Sequence, residues 1–225
     1  MVTCESCGIR SKAVQSLTDE ELEIHQQNCA EIKLVAGDII IKEGLLSTHV
    51  AYLKTGLAKI HKKGMKRTDQ ILKIAQQGSY IGMQTILSQK IHQYSATAIE
   101  DSDVCFIGVA TFKELIMRNA TFGHELIQFL CQDELSYFNR FANLQQKQVD
   151  GRLADTILYF ANDIKKHHDF IIPLSRNELA AFICSTRESV TRAIKDLSDI
   201  GTIQVTGKRF TIINVDLLKK ISENG

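Results

Sequence analysis

The sequence predicts an α+β protein in which an antiparallel β jelly roll precedes a long helix and a small helical unit that ends in a β-hairpin. Three patterns support this prediction. Short strand-like runs separated by glycine fill the segment from Ile32 to Ile107. A helical apolar stripe follows from Glu125 to about Gln148, and two short helical patterns and a hairpin occupy Ser175–Ile213.

The strand-like runs share β-branched or alternating residues and nearly even spacing. They are Lys33–Val35, Ile39–Lys42, Val50–Leu53, Ala58–His61, Gln70–Ile74, Ser95–Ile99 and Val104–Ile107. Glycine turns lie between most of them. Many short strands with regular turns are typical of an antiparallel barrel or jelly roll.

Helical periodicity resumes at Phe112–Asn119 and continues from Glu125 to about Gln148. Its stripe contains Ile127, Leu130, Cys131, Glu134, Phe138, Phe141, Leu144 and Gln148. This stripe is wider than packing on one face of a small barrel requires, which favours pairing with a second copy of the chain. The alternative is that the whole stripe packs on its own barrel. Asp150-Gly151-Arg152 interrupts the pattern and is expected to act as a pivot before the helix Leu153–Ile164.

The last segment has the pattern of a helix-turn-helix. Ser175 and Glu178 form a capping-box pair at the start of a short helix. Cys184-Ser185 predicts a tight turn, and a second helix is expected over Thr186–Ile200. Two short helices joined in this way place the second helix in the DNA major groove.

The outer face of the second helix carries side chains that suit base edges. Arg187 and Glu188 lie in its first turn, with Thr191 and Arg192 one turn later. Arginine offers two parallel donors to guanine, and glutamate accepts from the cytosine amino group. Lys195 lies further along, nearer to phosphate.

Two N-caps fit this helix. If Ser185 is the N-cap, Glu188 completes a capping box; if Thr186 is the N-cap, Glu188 can face DNA. The segment Gly201–Ile213 predicts a two-stranded hairpin, or wing, whose basic tip includes Lys208. The candidate DNA-contacting residues are therefore Ser175, Thr186, Arg187, Glu188, Thr191, Arg192, Lys195 and Lys208.

This order of elements resembles the Crp/Fnr family of bacterial transcription regulators over essentially the whole chain. The resemblance is carried by GSYIG at Gly78–Gly82, VDGRL at Val149–Leu153 and STRESVTR at Ser185–Arg192. It implies a cyclic-nucleotide-binding-like jelly roll, a dimerisation helix and a winged helix-turn-helix. The corresponding domains are 1–120 (sensor β-roll), 121–149 (dimerisation helix and hinge) and 150–225 (DNA-binding).

The resemblance also implies partners: a homodimer joined through the long helices binds palindromic double-stranded DNA, with RNA polymerase as the expected protein partner. The positions matching Arg187, Glu188 and Arg192 read base edges in this family. The signal that the β-roll senses is unknown.

The resemblance places an effector pocket at Gly82, Met83, Gln84, Tyr94, Ser95, Tyr137 and Phe138. Cyclic-AMP-binding members have a glutamate where Met83 stands and an arginine where Tyr94 stands. A buried phosphate without its arginine lacks a charge partner, so cyclic AMP is not the expected ligand. Three states of the pocket stay open: empty, filled by its own side chains, or occupied by an apolar ligand.

Oxygen-sensing members hold an iron–sulfur cluster, and Cys4, Cys7 and Cys105 match three of its ligands in type and order. One family ligand is missing, since Ala13 stands in its place, and Cys29 is the candidate substitute. Zinc suits the same set. The alternative is that Cys105 is a strand-core residue and that Cys4 and Cys7 are simple thiols.

Composition excludes several other classes of protein. The 225 residues are 44% hydrophobic and 24% charged, with a net charge of +1, values typical of an ordinary globular protein. The sequence contains neither a long apolar run nor a signal-peptide pattern, so a cytoplasmic protein without a membrane partner is expected. Carboxylate clusters, nucleophile–histidine patterns and phosphate loops are also missing, which argues against an enzyme. A small-molecule-binding barrel whose helical unit docks on protein is the rival interpretation.

Overall fold

The computed structural model describes residues 7–64 and 69–225, and the Cys4 prediction therefore lies outside the described residues. The described chain forms two compact units. The first contains the residues up to Lys63 and those from Leu72 to Leu135, and the second contains the short stretch before Leu72 and Ser136–Gly225. One long helix contributes residues to both units.

Two four-stranded antiparallel sheets form the jelly roll. Their strands are β1 (Cys29–Leu34), β2 (Ile39–Ile41), β3 (His49–Leu53), β4 (Ala58–Lys63), β5 (Asp69–Ala75), β6 (Tyr80–Ile81), β7 (Ser95–Ala98) and β8 (Ser102–Gly108). The strand orders are β1-β8-β3-β6 and β2-β7-β4-β5. The predicted fold class is confirmed: the seven predicted runs overlap seven of these strands, and β6 is not among the predicted runs.

Strand β3 shows how this unit is layered. Ala51 and Leu53 join the core that both sheets share, whereas Val50 and Tyr52 join a second core beneath the helices. Successive side chains of a strand point to opposite faces, so a strand covered on both faces must be apolar throughout. The run from Val50 to Leu53 meets this requirement, and all four residues are buried.

The helices α1 (Lys12–Gln15), α2 (Asp19–Gln27), α3 (Met83–Ser88), α4 (Val109–Arg118) and α5 (Ala120–Gln146) complete this half of the chain. Thr18 caps α2 in a capping box with Glu21. The Asn119 side chain accepts from the Phe122 amide at the start of α5 and donates to Glu21 at 2.7 Å. This bond, with the cap, lowers the pKa of Glu21 and ties the start of α5 to α2.

The second unit continues with α6 (Val149–Tyr159), a π-helical turn (Phe160–Ile164), β9 (Asp169–Ile171), α7 (Arg176–Phe182), α8 (Arg187–Asp199), β10 (Ile203–Thr206), β11 (Arg209–Ile212) and α9 (Val215–Asn224). Its sheet has the order β10-β11-β9. Within the described ranges, every helix is too short or too polar to cross a membrane.

One sequence prediction is wrong in this unit, and one is incomplete. Asp150-Gly151-Arg152 lies inside α6 rather than between helices, and the helix break falls just before it, at Gln148, which adopts an extended conformation (ψ 175°). The predicted hairpin is present as β10 and β11, and β9 adds a third strand by pairing with β11. Phe170 of β9 packs against Phe210 of β11 with ring centroids 6.4 Å apart, a contact that the flanking polar residues conceal in the sequence.

Gly56 and Gly44 provide a matched test of the jelly-roll packing, because their φ angles are +84° and +85°. A Cβ on Gly56 would lie 2.1 Å from the Ser102 hydroxyl and 2.5 Å from the Asp101 carbonyl oxygen, whereas Gly44 has nothing within 4 Å. Gly44→Ala should lower the free energy of unfolding by about 1–2 kcal/mol through backbone strain alone. Gly56→Ala should lower it by roughly a further 1–3 kcal/mol.

Urea denaturation followed by circular dichroism measures both losses. Equal losses for the two variants would contradict the close approach at Gly56.

Candidate nucleic-acid interface

The caps of α7 and α8 fix where the two helices begin. The Ser175 hydroxyl accepts from the Glu178 amide at 3.3 Å, and the Glu178 carboxylate accepts from the Ser175 amide at 2.8 Å. At α8, the Thr186 hydroxyl accepts from the Ser189 amide at 3.2 Å. Thr186 is therefore the N-cap of α8, which resolves the choice that the sequence left between Ser185 and Thr186.

The inner stripe of α8 fixes which face is outward. Val190, Ala193, Ile194 and Leu197 are buried. Because these residues recur at three- and four-residue steps, they occupy one side of the helix, and the helix cannot rotate without exposing them.

The opposite side of α8 carries the predicted recognition residues, all of them exposed. In the described part of the chain, the side chains of Arg187, Glu188, Arg192 and Lys195 have no hydrogen-bond or ion-pair partner. Thr191 differs, because its hydroxyl donates to the Arg187 carbonyl oxygen at 2.8 Å. Thr191 is nevertheless exposed as a residue. This surface therefore presents guanidinium donors, a carboxylate acceptor and a methyl group, the groups that distinguish bases in the major groove.

The tip of the wing is held against the start of α7. Arg176 donates to the Gly207 carbonyl oxygen at 2.9 Å, and the Lys208 ammonium donates to the Pro173 carbonyl oxygen at 3.3 Å. Lys208 is exposed, so its ammonium lies at the surface near the start of α7.

Arg209 forms a two-pronged ion pair with Asp169, at 2.8 and 2.5 Å. Hydrogen bonding to Arg209 lowers the pKa of Asp169 to about 2. Arg209 is therefore already paired within the wing.

The turn between α7 and α8 has an unusual conformation, since Cys184 has a φ of +52°. Three carbonyl oxygens at this turn accept from arginines. Arg140 of α5 donates to the Phe182 oxygen, and Arg152 of α6 donates to the oxygens of Ile183 (3.0 Å) and Cys184 (3.2 Å). We call Arg140 and Arg152 the arginine bracket. The predicted residues do not include Arg140, because nothing in the pattern of the long helix indicates a contact 42 residues away in the chain.

Comparison with known proteins agrees with this architecture. A Crp-like helix-turn-helix domain matches residues 151–221, and a cyclic nucleotide-binding domain matches residues 31–119. The chain belongs to the Crp/Fnr family. Members of this family are DNA-binding transcription regulators and not enzymes.

Two relatives and two solved structures show how similar this chain is to other members of the family. The chain is 25% identical to the transcriptional activator protein FnrL of Cereibacter sphaeroides (99% of this chain, 92% of FnrL). It is also 25% identical to the cAMP-activated global transcriptional regulator CRP of Salmonella typhimurium, over 87% of this chain and 95% of CRP. FixK2 from Bradyrhizobium japonicum shares the fold with a TM-score of 0.77 at 19% identity, over 86% of this chain and 96% of FixK2. A putative transcriptional regulator of the Crp/Fnr family from Eubacterium rectale has a TM-score of 0.80 at 15% identity, over 95% of this chain and 98% of its own chain.

In this Crp/Fnr regulator, hydrogen bonds join three of the predicted effector-pocket residues. The Tyr94 hydroxyl accepts from the Gly82 amide at 3.0 Å and donates to the Gln84 side chain at 2.9 Å. Burial raises the pKa of Tyr94 to about 12, so the phenol keeps its proton at neutral pH. The backbone amide that begins α3 is therefore already satisfied by a side chain of the protein.

The other predicted pocket residues are placed differently. Ser95 accepts from the Glu43 amide at 3.0 Å, and Met83 is fully buried in the core beneath the helices. Tyr137 and Phe138 lie on the part of α5 that belongs to the second unit. The predicted pocket does not include His92, a buried residue whose ring lies 3.2 Å from where a Cβ on Gly82 would be.

Two of the predicted cysteine ligands share a small cavity of about 30 Å³. It is lined by Cys7, Ile9, Arg10, Ser11, Val14, His25, Tyr52, Lys54, Cys105 and Ile107. Cys29 begins β1 and packs against the core beneath the helices. Over residues 7–64 and 69–225, no three histidine, cysteine or acidic side chains are grouped to hold a metal ion. The described residues alone therefore do not form a metal site.

Cys184 gives a test of the helix-turn-helix geometry. A side chain in the left-handed region costs about 1–2 kcal/mol, and glycine removes that cost but gains entropy in the unfolded chain. Cys184→Gly should therefore raise the free energy of unfolding by up to about 1 kcal/mol. Cys184→Ala keeps the strained Cβ and serves as the control.

Thermal denaturation of the three proteins measures the effect. A gain for alanine as large as that for glycine would show that loss of the thiol, rather than relief of the backbone, stabilises the turn.

Proposed function

We propose that this regulator acts as a homodimer that reads a palindromic DNA site through α8, under the control of a signal received by the β-roll. The observation that carries the proposal is the outer face of α8. Its arginines and glutamate are exposed and lack partners in the described chain, while the inner face is locked into the core. Charged side chains that only stabilise a helix commonly pair with neighbours one turn away.

The mixed charge of this face favours base reading over simple attraction to phosphate. A surface that only neutralises phosphate would contain cations alone. Glu188 would be repelled by phosphate, but it can accept a hydrogen bond from the amino group of cytosine. Arg187 and Arg192 flank it with donors that match guanine, and Lys195 supplies charge further along the helix.

Dimerisation is supported by the surface of α5. Ile127, Leu135, Phe138 and Phe141 have 59–65% of their surface exposed in the single chain. Ile127, Cys131, Glu134, Phe138 and Phe141 repeat at alternating four- and three-residue steps, the spacing of the seam between two paired helices. A second copy would cover this face and place two recognition helices about one turn of DNA apart, roughly 34 Å.

RNA polymerase is the proposed protein partner. Support comes from the relative named a transcriptional activator, which matches this chain over 99% of its length.

The signal is unlike that of the cAMP-activated relative. A cyclic phosphate needs donors and a cation, but the Gly82 amide already donates to Tyr94 and no arginine stands at that position. We infer that side chains of the protein fill this pocket and that cyclic AMP does not bind there.

A metal centre at the amino terminus is the second candidate for the signal site. It is favoured by the cavity that Cys7 and Cys105 share. Cys4, Cys7, Cys105 and Cys29 would be the thiolate ligands of an iron–sulfur cluster or of zinc. Metal analysis of protein purified without oxygen tests this proposal, and metal-free protein would reject it.

DNA recognition is tested by selecting bound duplexes from a random library. We expect a palindrome with two half-sites. On the selected site, Arg187→Ala and Arg192→Ala should each weaken binding by about 1–3 kcal/mol and relax base preference at one position per half-site. Lys195→Ala should weaken binding to selected and scrambled duplexes equally, because phosphate contacts carry no sequence information.

Fluorescence anisotropy at fixed salt measures these affinities. Equal losses on selected and scrambled DNA for the arginine variants would refute base reading. Failure to bind any duplex would favour the rival interpretation, in which the helical unit docks on protein.

The filled pocket predicts how the β-roll responds to cyclic AMP. A ligand that binds only the folded state at 100 times its Kd stabilises that state by about 2.7 kcal/mol. Cyclic AMP should therefore leave the melting temperature of the natural protein unchanged. Tyr94→Phe leaves the Gly82 amide without its acceptor and should lower the free energy of unfolding by roughly 1 kcal/mol.

Thermal denaturation with and without cyclic AMP measures both effects. Stabilisation of the natural protein by the nucleotide would contradict the filled pocket.

A further inference from the structure

Arg140 connects the pairing helix to the turn of the helix-turn-helix. It lies on α5 between Phe138 and Phe141, two of the exposed apolar residues. Its guanidinium donates to the Phe182 carbonyl oxygen at the end of α7. The same group stacks on the Phe182 ring, with its central carbon 3.9 Å from the ring centroid.

This contact is more than a surface ion pair. Phe182 is 97% buried, so the ring that Arg140 covers is itself fixed in the core of the second unit. Arg140 is half-buried, and this burial lowers the pKa of its guanidinium. A cation over a ring contributes more to stability when it is desolvated, and the planar guanidinium can stack and donate at once.

The other connections from the end of α5 to this turn pass through α6. Lys147, just after α5, pairs with both carboxylate oxygens of Asp155 on α6 at 2.8 Å. Arg152 then ties α6 to the turn at Ile183 and Cys184. Arg140 alone among the bracket residues lies on α5 itself, so it links the helix that would pair two copies to the loop that leads into α8.

We propose that Arg140 is a positioning residue for DNA recognition: it sets the orientation of α8 relative to α5 and thereby the half-site spacing that the dimer accepts. The inference rests on the proposed homodimer. Arg140 need not touch DNA for this role. Its loss should leave each recognition helix intact but allow the two helices to sit at a range of separations.

A spacing series tests the role directly. The selected palindrome is varied by adding or removing one or two base pairs between half-sites, and a duplex with a single half-site is the reference. One base pair rotates the half-sites by about 34–36°, so the natural protein should lose about tenfold or more in affinity per step. Arg140→Met should bind the spacing variants within about threefold of one another, because a loosened joint tolerates the rotation.

Three controls separate positioning from other effects. Arg140→Lys keeps the charge but lacks the planar group, so its spacing preference should also flatten. Asn139→Ala changes the exposed neighbouring side chain and should behave as the natural protein does. Binding to the single half-site should be the same for all four proteins, and circular dichroism establishes that each is folded.

Two outcomes would overturn the proposal. One is an Arg140→Met protein that keeps the natural spacing preference and binds every duplex more weakly by the same factor. The other is an Arg140→Lys protein with the natural preference, since charge alone would then suffice. If the natural protein shows no spacing preference, the palindrome model itself fails, and this inference fails with it.

Discussion

Three successive carbonyl oxygens, those of Phe182, Ile183 and Cys184, lie at the end of α7 and in the turn that leads to α8. The last carbonyls of a helix have no amide partners within it, and a turn between two helices must satisfy them in some other way. Here arginines from α5 and α6 supply the donors. The buried stripe fixes the outward face of α8, and we propose that the Arg140 contact sets the orientation of α8 relative to α5.

In the jelly-roll unit, too, a backbone group that has no partner in regular secondary structure is satisfied by a side chain. Gly82 is buried at the start of α3, so its backbone amide needs a hydrogen-bond partner within the protein. The Tyr94 hydroxyl accepts from the Gly82 amide and donates to the Gln84 side chain. These two bonds are the basis of our proposal that side chains of the protein fill the pocket.

The parts of the fold that sequence reasoning predicted are those governed by local periodicity. Alternation with glycine turns located the strands, and three- and four-residue steps located α5 and α8. The capping residues around Thr186 left two choices, which only the hydrogen bond to the Ser189 amide decides. The misplaced pivot at Asp150–Arg152 and the unpredicted strand β9 have a different origin. A glycine inside α6 and the polar residues before β9 have weak local preferences, and tertiary contacts overrode them.

The candidate nucleic-acid interface also contains residues that local periodicity predicts and one that it does not. The outward residues of α8 follow from helical geometry once the buried stripe is known. Arg140 does not, because its role depends on a partner 42 residues away and on an aromatic ring that a sequence pattern does not mark. Long-range contacts between side chains and backbone carbonyls leave no periodic signal, and we propose that one of them, from Arg140, connects dimerisation to DNA recognition.

The most direct measurement of base reading is an interference experiment on the selected duplex. Each guanine is replaced in turn by 7-deazaguanine, which removes the N7 acceptor in the major groove and leaves base pairing intact. The account predicts that one or two guanines per half-site lose about 1–3 kcal/mol of binding, and that the loss disappears in the matching arginine variant. If no guanine in either half-site is sensitive to the replacement, α8 does not read bases through its arginines, and the central claim is wrong.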